Sequence, residues 1–269
     1  MQEEILSDRL FNKFSDFFFN KTGIRLKNYK KYLIINRLAK FVGADNEFKN
    51  YEDLYKALIN GDSQESVYKF INAITTNFSF FFREKIHFDF LSHYFKNIYK
   101  DSNSIRIWSA ACSTGQEAYS IAITACDCLP NTQINKLKIL GTDISTNVLN
   151  TAIEGSYDYD KIEKQLDSRI IKNYFHKKDK FLIANDSLKS LINFRYLNLM
   201  SNYPFTKEFD IVFLRNVLIY FDNKEKEYII NKIYPYIKQG GYLIIGLSES
   251  TVGIKHNFKS LKYSIYKKE

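Results

Sequence analysis

The sequence predicts a doubly wound α/β domain that is preceded by an all-α domain and carries a small antiparallel β insertion. Up to about residue 75, apolar residues recur three and four positions apart, which indicates amphipathic helices. From about residue 104, short β-rich apolar runs alternate with helical stretches, which is typical of a parallel sheet with helices on both faces. With 269 residues, 45% of them hydrophobic, the chain can fill a core in each domain.

Four helices are expected in the N-terminal helical domain, residues 1–75. Their sequences are EEILSDRLFNKFSDFFF, NYKKYLIINRLAKFV, YEDLYKALI and SQESVYKFINAI. Gly23, Gly43 and Gly61 fall between these segments and are expected to end helices. Residues 76–103 are expected to form a linker helix that leads into the α/β domain.

Residues 104–269 are expected to form the α/β domain. Its predicted strands are IRIWSA, KLKILGTDIS, FDIVFLRNV and GGYLIIGLSES, and its predicted helices are EAYSIAITACDCL, TNVLNTAIEG and KEKEYIINKIYPYIK. From about residue 157 to 197 the alternation breaks. There KIEKQLDSRIIKNYF is predicted to be helical, and KFLIA and INFRYLN are predicted to be two strands joined near Asn185 and Asp186. We interpret this stretch as the inserted antiparallel β-subdomain.

Composition narrows the class of protein. The sequence has no run of 18 apolar residues and begins with neither a basic leader nor an apolar signal core, so a cytoplasmic location without membrane insertion is expected. Cys112, Cys126 and Cys128 are odd in number and poorly spaced for zinc, so we expect reduced thiols and no metal site.

The net charge of +9 favours a nucleic-acid partner at first sight. We discount it, because lysine far outnumbers arginine and accompanies abundant Asn, Ile, Tyr and Phe, which indicates a general compositional bias. No nucleic-acid partner is expected. The placement of charge is more informative, since residues 21–44 contain seven basic residues and no acid.

Four segments are expected at the carboxyl ends of the predicted strands, where open α/β sheets bind ligands. They are the small-residue loop AACSTG (110–115), Gly141–Asp143, Asn198–Leu199 and Leu214–Asn216. A small loop followed by a strand-end acid that accepts ribose hydroxyls suits an adenosine moiety. The loop lacks the glycines of dinucleotide and P-loop motifs, and Glu117 would repel a pyrophosphate. S-adenosylmethionine, which carries positive charge instead of phosphates, fits better, although Glu117 could equally be a first-turn acid on a helix dipole.

Two further stretches can carry chemistry. In ITTNFSFFFREKIH, three phenylalanines precede Arg83, and an arginine beside apolar bulk needs an anion unless its charge reaches solvent. In RNVLIYFD, Tyr220 follows a strand end and either points into the cleft or lies in the core with a satisfied hydroxyl. Both alternatives stay open for each residue.

The motifs ITTNxSxFFRE, RIWSAACSTGQEAYSIAI, GTDIS, LRNVLIYFD and GYLIIGLSES, in this order, resemble the CheR family of chemotaxis protein methyltransferases. The resemblance extends over essentially the whole chain. It implies a Rossmann-like S-adenosylmethionine methyltransferase domain. It also implies transfer of a methyl group to the γ-carboxylate of glutamates on the cytoplasmic helices of chemoreceptors.

The resemblance also implies roles for individual residues. Arg83 and Tyr220 match the residues that handle the substrate carboxylate. Ser79 stands where threonine is common, and Gln116 and Ala118 depart from the usual Glu and Pro, but the matched acid Glu117 is kept. The cofactor-binding positions are Asn77, Ser79, Arg83, Glu117, Asp143, Asn198, Leu199, Arg215 and Asn216, to which the small-residue loop adds Ala110 and Gly115.

The basic run gains a candidate partner from the same resemblance, because the second helix of the family lies against the receptor's methylation region. Lys30, Arg37 and Lys40 are therefore substrate-docking candidates, with a solvated lysine face as the alternative. In members of this family that dock on a receptor's C-terminal pentapeptide, the loop between the inserted strands is longer and rich in glycine. The loop His176–Lys180 is short and free of glycine, so the resemblance implies no dependence on the pentapeptide. A monomer is expected. The alternatives are an RNA or DNA methyltransferase and a non-catalytic S-adenosylmethionine-binding regulator.

Overall fold

The computed structural model describes residues 6–60, 64–99 and 104–269. Within these described residues the N-terminal part contains four α-helices, as the sequence predicts. Gly61 and the first predicted turn, residues 3–5, lie outside the described residues. The helices are α1 (Asp8–Thr22), α2 (Lys31–Leu38), α3 (Tyr51–Asn60) and α4 (Gln64–Ile74).

Helix α1 shows how local sequence defines these elements. The Ser7 hydroxyl caps its start by accepting a hydrogen bond from the Leu10 amide at 3.2 Å, and Gly23 ends it in the left-handed conformation. Phe14 and Phe18 extend from its inner face into a separate core, where Phe14 stacks on Phe70 with ring centroids 5.5 Å apart. The helical domain therefore has a hydrophobic core of its own.

The second predicted helix is shorter than the sequence pattern suggests. Helix α2 is flanked by 3-10 turns at Asn28–Lys30 and Ala39–Phe41. Lys30 and Lys40 consequently lie in these flanking turns, whereas Arg37 lies in the α-helix itself. The three docking candidates do not share one continuous helix face.

The predicted linker helix is wrong for residues 76–85. Helix α5 begins only at Ile86 and ends at His93, and a π-helical turn covers Tyr94–Ile98. The reason lies in the hydrogen bonds of the preceding segment. The amide of Phe81 donates to Gln165 Oε1 at 3.0 Å and that of Phe82 to Ser120 Oγ at 2.9 Å, so neither supports a helix.

A seven-stranded sheet forms the centre of the α/β domain, in the order β6-β2-β1-β7-β8-β10-β9. The first five strands of that order are parallel, β10 pairs antiparallel with β8, and β9 pairs antiparallel with β10. The bounds are β1 (Ile105–Ala110), β2 (Leu137–Asp143), β6 (Ile192–Tyr196), β7 (Phe209–Leu214), β8 (Ile237–Ile245), β9 (Phe258–Ser260) and β10 (Ile265–Lys268).

Helices cover both faces of this sheet, so its central strands are buried on both sides. Neighbouring residues of β1 show this, because Ile107 and Trp108 belong to different core clusters and both are fully buried. The helices are α6 (Gln116–Cys128), α7 (Asn131–Ile134), α8 (Thr146–Glu154), α9 (Tyr159–Ile162), α10 (Ser168–Tyr174), α11 (Asp186–Lys189) and α12 (Asn223–Ile233). Among the described residues, no helix is long and apolar enough to cross a membrane.

The antiparallel insertion is confirmed, but its strands differ from the predicted ones. It consists of β3 (Ser156–Asp158), β4 (Phe175–Lys178) and β5 (Phe181–Ala184), in the order β3-β5-β4. INFRYLN instead contributes β6, which pairs in parallel with β2 at the edge of the main sheet. The predicted loop at His176–Lys180 is also wrong, because its first three residues belong to β4. Helix α12 likewise ends earlier than expected, at Ile233, and Ile237 already begins β8.

The loop after β1 turns tightly into α6. Ala111, Ser113 and Gly115 all have positive φ, at 64°, 51° and 93°. A Cβ on Gly115 would lie 2.8 Å from the Cβ of Ala152 in α8. Glycine is therefore required here by the left-handed backbone and by the contact with α8.

We expect Gly115→Ala to lower the free energy of unfolding by about 3 kcal/mol, because backbone strain and overpacking act together. Gly240→Ala is the matched control. Its φ is +76°, but a Cβ there meets nothing within 4 Å, so strain alone should cost about 1 kcal/mol. Urea denaturation measures both, and equal losses would contradict the proposed contact with α8.

Candidate active site

A cleft of about 270 Å³ opens at the carboxyl ends of β1, β2 and β7, between the sheet and the helical domain. Both domains line it. Twelve of the predicted site residues lie on its walls, namely Lys30, Arg37, Asn77, Ser79, Arg83, Glu117, Asp143, Asn198, Leu199, Arg215, Asn216 and Tyr220. The fold thus brings together residues that are up to 190 positions apart in the sequence.

Ala110, Gly115 and Lys40 are not brought to this cleft. Ala110 is fully buried in the core cluster that contains Trp108, and Gly115 packs against α8. The loop lines the cleft with its middle residues, Ala111, Cys112 and Ser113. The sequence analysis had predicted residues at the two ends of this loop. The backbone angles that turn the middle of the loop toward the cleft cannot be recognised in the sequence.

A buried ionic cluster centres on Arg215, at the end of β7. Its side chain is 1% exposed, and its Nη1 donates to Glu117 Oε2 at 2.9 Å while its Nη2 donates to Glu84 Oε2 at 3.0 Å. The same Nη2 donates to the carbonyl oxygen of Arg83. The Ser109 hydroxyl donates to the other oxygen of Glu117 at 2.6 Å. Arg215 therefore ties β7, the first turn of α6 and residues 83–84 into one unit.

The pKa values of the two carboxyl groups beside Arg215 are shifted in opposite directions. Burial raises the pKa of Glu117, against the effect of the Arg215 charge and the Ser109 hydrogen bond. Burial also acts to raise the pKa of Glu84, but the Asn216 hydrogen bond and the Arg215 charge together lower it below the ordinary value. Glu84 is a site residue that the sequence analysis missed, although it directly follows Arg83 in the FFRE motif.

Asp143, at the end of β2, holds the loop after β1 as well as facing the cleft. Its two oxygens accept hydrogen bonds from the amides of Ser113 and Ser145, each at 2.9 Å. Burial raises its pKa, and these amide bonds oppose that shift. A carboxylate has about four acceptor positions, so capacity remains for a ligand hydroxyl. The Ser113 hydroxyl is buried at the cleft without a hydrogen-bond partner, which also fits a polar ligand.

Asn198 connects the α/β domain to the helical domain, and Arg37 fastens α2 to the end of α4. Asn198 Nδ2 donates to the carbonyl oxygen of Lys21 at 2.6 Å, at the end of α1. Arg37 donates to the carbonyl oxygens of Ile74 and Thr75 and to the Thr76 hydroxyl. The last carbonyl groups of α4 lack donors within the helix, and the Arg37 guanidinium donates hydrogen bonds to them. These partners are uncharged, and Arg37 also lines the cleft, so its docking role stays a prediction.

Arg83, before α5, and Tyr220, after β7, both line the cleft. The Arg83 guanidinium donates to the Phe78 carbonyl at 3.1 Å and lies 5.7 Å from the ring centroid of Phe80. The Tyr220 hydroxyl lies 3.4 Å from the carbonyl oxygen of Thr76. Burial raises the pKa of Tyr220, so its phenol stays protonated and can donate.

A doubly wound sheet with acids at the end of β2 and in the first turn of α6, beneath a helical cap, defines the class of S-adenosylmethionine-dependent methyltransferases. Comparison with known families agrees. Residues 77–267 match the model described as "CheR methyltransferase, SAM binding domain", and residues 9–75 match "CheR methyltransferase, all-alpha domain".

Relatives of known description match over nearly the full length. A "Chemotaxis protein methyltransferase" of Borreliella burgdorferi is 39% identical, with 93% of this chain and 90% of that protein covered. Proteins of the same description from Vibrio anguillarum and Escherichia coli are 34% and 32% identical and cover 96% and 97% of this chain, and 94% and 91% of their own length. The chain belongs to the CheR methyltransferase family. It is an S-adenosylmethionine-dependent methyltransferase of chemotaxis.

The lowered pKa of Glu84 predicts that this residue contributes to the free energy of unfolding in a way that depends on pH. A carboxyl group with a depressed folded-state pKa stabilises the fold above its unfolded pKa, about 4.3, and loses that contribution as the pH falls through the folded value. We expect Glu84→Gln to lower the free energy of unfolding at pH 7. The difference from wild type should shrink as the pH falls below about 4. Urea titrations across this range measure it, and a difference that does not change with pH would contradict this view.

Proposed function

We propose that this protein transfers the methyl group of S-adenosylmethionine to the γ-carboxylate of glutamates on the cytoplasmic helices of chemoreceptors, forming methyl esters. The observation that carries the proposal is the placement of a guanidinium, Arg83, and a protonated phenol, Tyr220, on one cleft with the acids Glu117 and Asp143. Both donors suit a carboxylate substrate, and both acids suit a cationic methyl donor.

The reaction needs no base from the protein. Glutamate has an ordinary pKa of about 4.3, so the substrate is already a carboxylate nucleophile at neutral pH. When bound, S-adenosylmethionine supplies the electrophilic methyl group. The protein has to align the carboxylate and remove its water. Arg83 uses one of its five donors for the Phe78 carbonyl, which leaves others for one carboxylate edge. The long contact from Tyr220 to Thr76 can be exchanged for a bond to the same substrate group.

The cofactor roles of the lining residues belong to the same proposal. Asp143 would accept from ribose hydroxyls, and Glu117 would complement the positive charge of the amino acid moiety, held in place by Arg215. Asn77, Ser79, Leu199 and Asn216 line the same cleft and are proposed to contact the cofactor. Asn198 is proposed to act through its position, because its side chain is bonded to Lys21 and Met200.

The rival class of nucleic-acid methyltransferases finds little support in the cleft. Cys112 lines it, and an enzyme that methylates cytosine carbon needs a reactive thiol. Burial, together with the charges of Asp143 and Glu117, raises the pKa of Cys112 well above its ordinary value, so the thiol stays protonated. The family comparisons do not favour this alternative either.

Substitution of the two carboxylate-binding groups tests the proposed chemistry. We expect Arg83→Ala to lower receptor methylation about 100-fold and Tyr220→Phe about tenfold, because each removes donors that orient the substrate. Arg169→Ala is the matched control, since Arg169 pairs with Asp127 on the β-subdomain side and not in the cleft. The measurement is transfer of label from S-adenosylmethionine to receptor cytoplasmic fragments as base-labile methyl groups. Near-normal turnover of Arg83→Ala, or label on nucleic acid, would overturn the proposal.

The rim of the cleft suits an acidic helix with apolar neighbours. Exposed Tyr29, Leu33 and Ile219 line the cleft beside half-buried Lys30. Tyr29, Lys30 and Leu33 belong to the basic stretch 21–44, which contains no acidic residue. Lys30 and Lys40 lie over the rings of Tyr29 and Phe41, at 5.9 and 4.9 Å from the centroids. We keep both lysines as proposed docking groups, although Lys40 is outside the cleft itself. A monomer that acts without a pentapeptide tether is part of the same proposal.

Charge reversal tests this docking surface. We expect Lys30→Glu with Lys40→Glu to raise the KM for a receptor fragment about tenfold, because an acidic partner is repelled, while the affinity for S-adenosylmethionine stays unchanged. Lys207→Glu is the control, as Lys207 is exposed and precedes the amino end of β7. We also expect wild-type enzyme to methylate a receptor fragment that lacks its C-terminal five residues at the same rate as the intact fragment. An unchanged KM in the double variant would exclude the docking role.

A further inference from the structure

A buried carboxylate, Glu249, lies beneath the loop that carries Tyr220. It follows β8, is only 8% exposed and plays no part in the cofactor or substrate contacts described above. Its Oε2 accepts hydrogen bonds from the amides of Gly246 at 2.7 Å and Asn216 at 2.8 Å. Its Oε1 accepts from the amide of Ile219 at 3.2 Å. One side chain thus joins the loop after β7 to the loop after β8.

The loop after β7 needs such a support because its own backbone is irregular. Asn216 has a φ of 57°, and a single 3-10 turn follows at Leu218–Tyr220. Amides in a turn of this kind have no strand partner, and a charged acceptor holds them more strongly than a neutral one. The two loops also touch closely. A Cβ on Gly246 would lie 2.5 Å from Asn216 Nδ2 and 2.9 Å from Glu249 Oε2, so a larger residue there would displace these side chains.

The supported loop carries three groups of the cleft. Asn216 Nδ2 donates to Glu84 Oε1 at 3.2 Å, Ile219 lies on the rim and Tyr220 presents its hydroxyl. Glu249 bonds to the amides at the start of this loop and next to Tyr220. The direction of the Tyr220 hydroxyl therefore depends on where Glu249 holds the backbone. Burial raises the pKa of Tyr220, the charges of Arg83 and Arg37 lower it and that of Glu249 raises it, and the net upward shift keeps the phenol a donor.

We propose that Glu249 is a positioning residue for methyl transfer, which holds the loop after β7 so that the Tyr220 hydroxyl meets the substrate carboxylate. The inference rests on the proposed role of Tyr220. It adds a residue that never touches the cofactor or the substrate but acts on the rate through the phenol. Its signature is a loss of kcat that depends on the presence of the Tyr220 hydroxyl.

A double-mutant cycle tests this dependence. Glu249→Gln keeps the size of the side chain but replaces one oxygen by an NH2 group that cannot accept from an amide. We expect it to lower kcat for receptor methylation about tenfold in the presence of Tyr220. In the background of Tyr220→Phe it should lower kcat less than about twofold, because the group it positions is already gone. The dissociation constant of S-adenosylmethionine should change by less than about threefold in both backgrounds.

Glu227→Gln is the matched control, because Glu227 also accepts from a backbone amide, that of Lys255 at 3.0 Å, but outside the cleft. It should leave kcat unchanged. If Glu249→Gln does not fold, as judged by its thermal melt, Glu249→Asp replaces it in the same cycle, since its shorter side chain cannot reach both loops.

The outcomes separate the two proposals. Equal losses of kcat from Glu249→Gln with and without the Tyr220 hydroxyl would overturn the positioning role, and so would a loss of cofactor affinity that accounts for the fall in rate. If the wild type methylates receptor fragments but the losses of kcat from Glu249→Gln and Tyr220→Phe are additive, only the positioning role of Glu249 is rejected. No methylation of such fragments by the wild type rejects the proposed function, and the positioning role with it.

Discussion

The geometry of the cleft depends on one buried cation, Arg215. Removing a guanidinium from water costs several kcal/mol, roughly, unless charged partners and hydrogen bonds replace the lost hydration. Here Glu117 and Glu84 supply the charges, and the Arg83 carbonyl accepts a further hydrogen bond. Because these partners belong to α6 and to the segment before α5, satisfying the charge fixes where both lie relative to β7. The ion cluster thus positions Arg83 for its proposed contact with the substrate.

The second constraint is that the cleft has two walls from separate domains. Arg37 binds the end of α4 and the segment that follows it, and Asn198 binds the end of α1. Both side chains use their polar groups within the molecule. Two other groups at the cleft, the Arg83 guanidinium and the Tyr220 phenol, are proposed to orient a carboxylate that is already ionised. This proposed division between residues that hold the site and residues that meet the substrate agrees with the proposed reaction, which needs no protein nucleophile.

Much of this arrangement was predictable from the sequence, for identifiable reasons. Hydrophobic periodicity separates the helical domain from the α/β domain, because helices and strands bury different faces. The carboxyl ends of parallel strands meet at one edge, so Asp143 and Arg215 were expected together. Motif similarity added Asn77, Arg83 and Tyr220, which no periodicity could have selected. Glu84 and Glu249 were missed, because an acid looks the same in a sequence whether it is buried or exposed.

The sequence by itself determined the division into a helical and an α/β part, the alternation of strands and helices, and the residue types that reach the cleft. Only the tertiary structure decided how those residues are used. The segment before α5 is not helical, because its amides bond to Ser120 and Gln165. INFRYLN joins the main sheet by pairing with β2 rather than with its neighbour in sequence. Arg37 donates to the carbonyl oxygens at the end of α4. In each case a contact between residues far apart in the chain satisfies a polar group that local sequence leaves open.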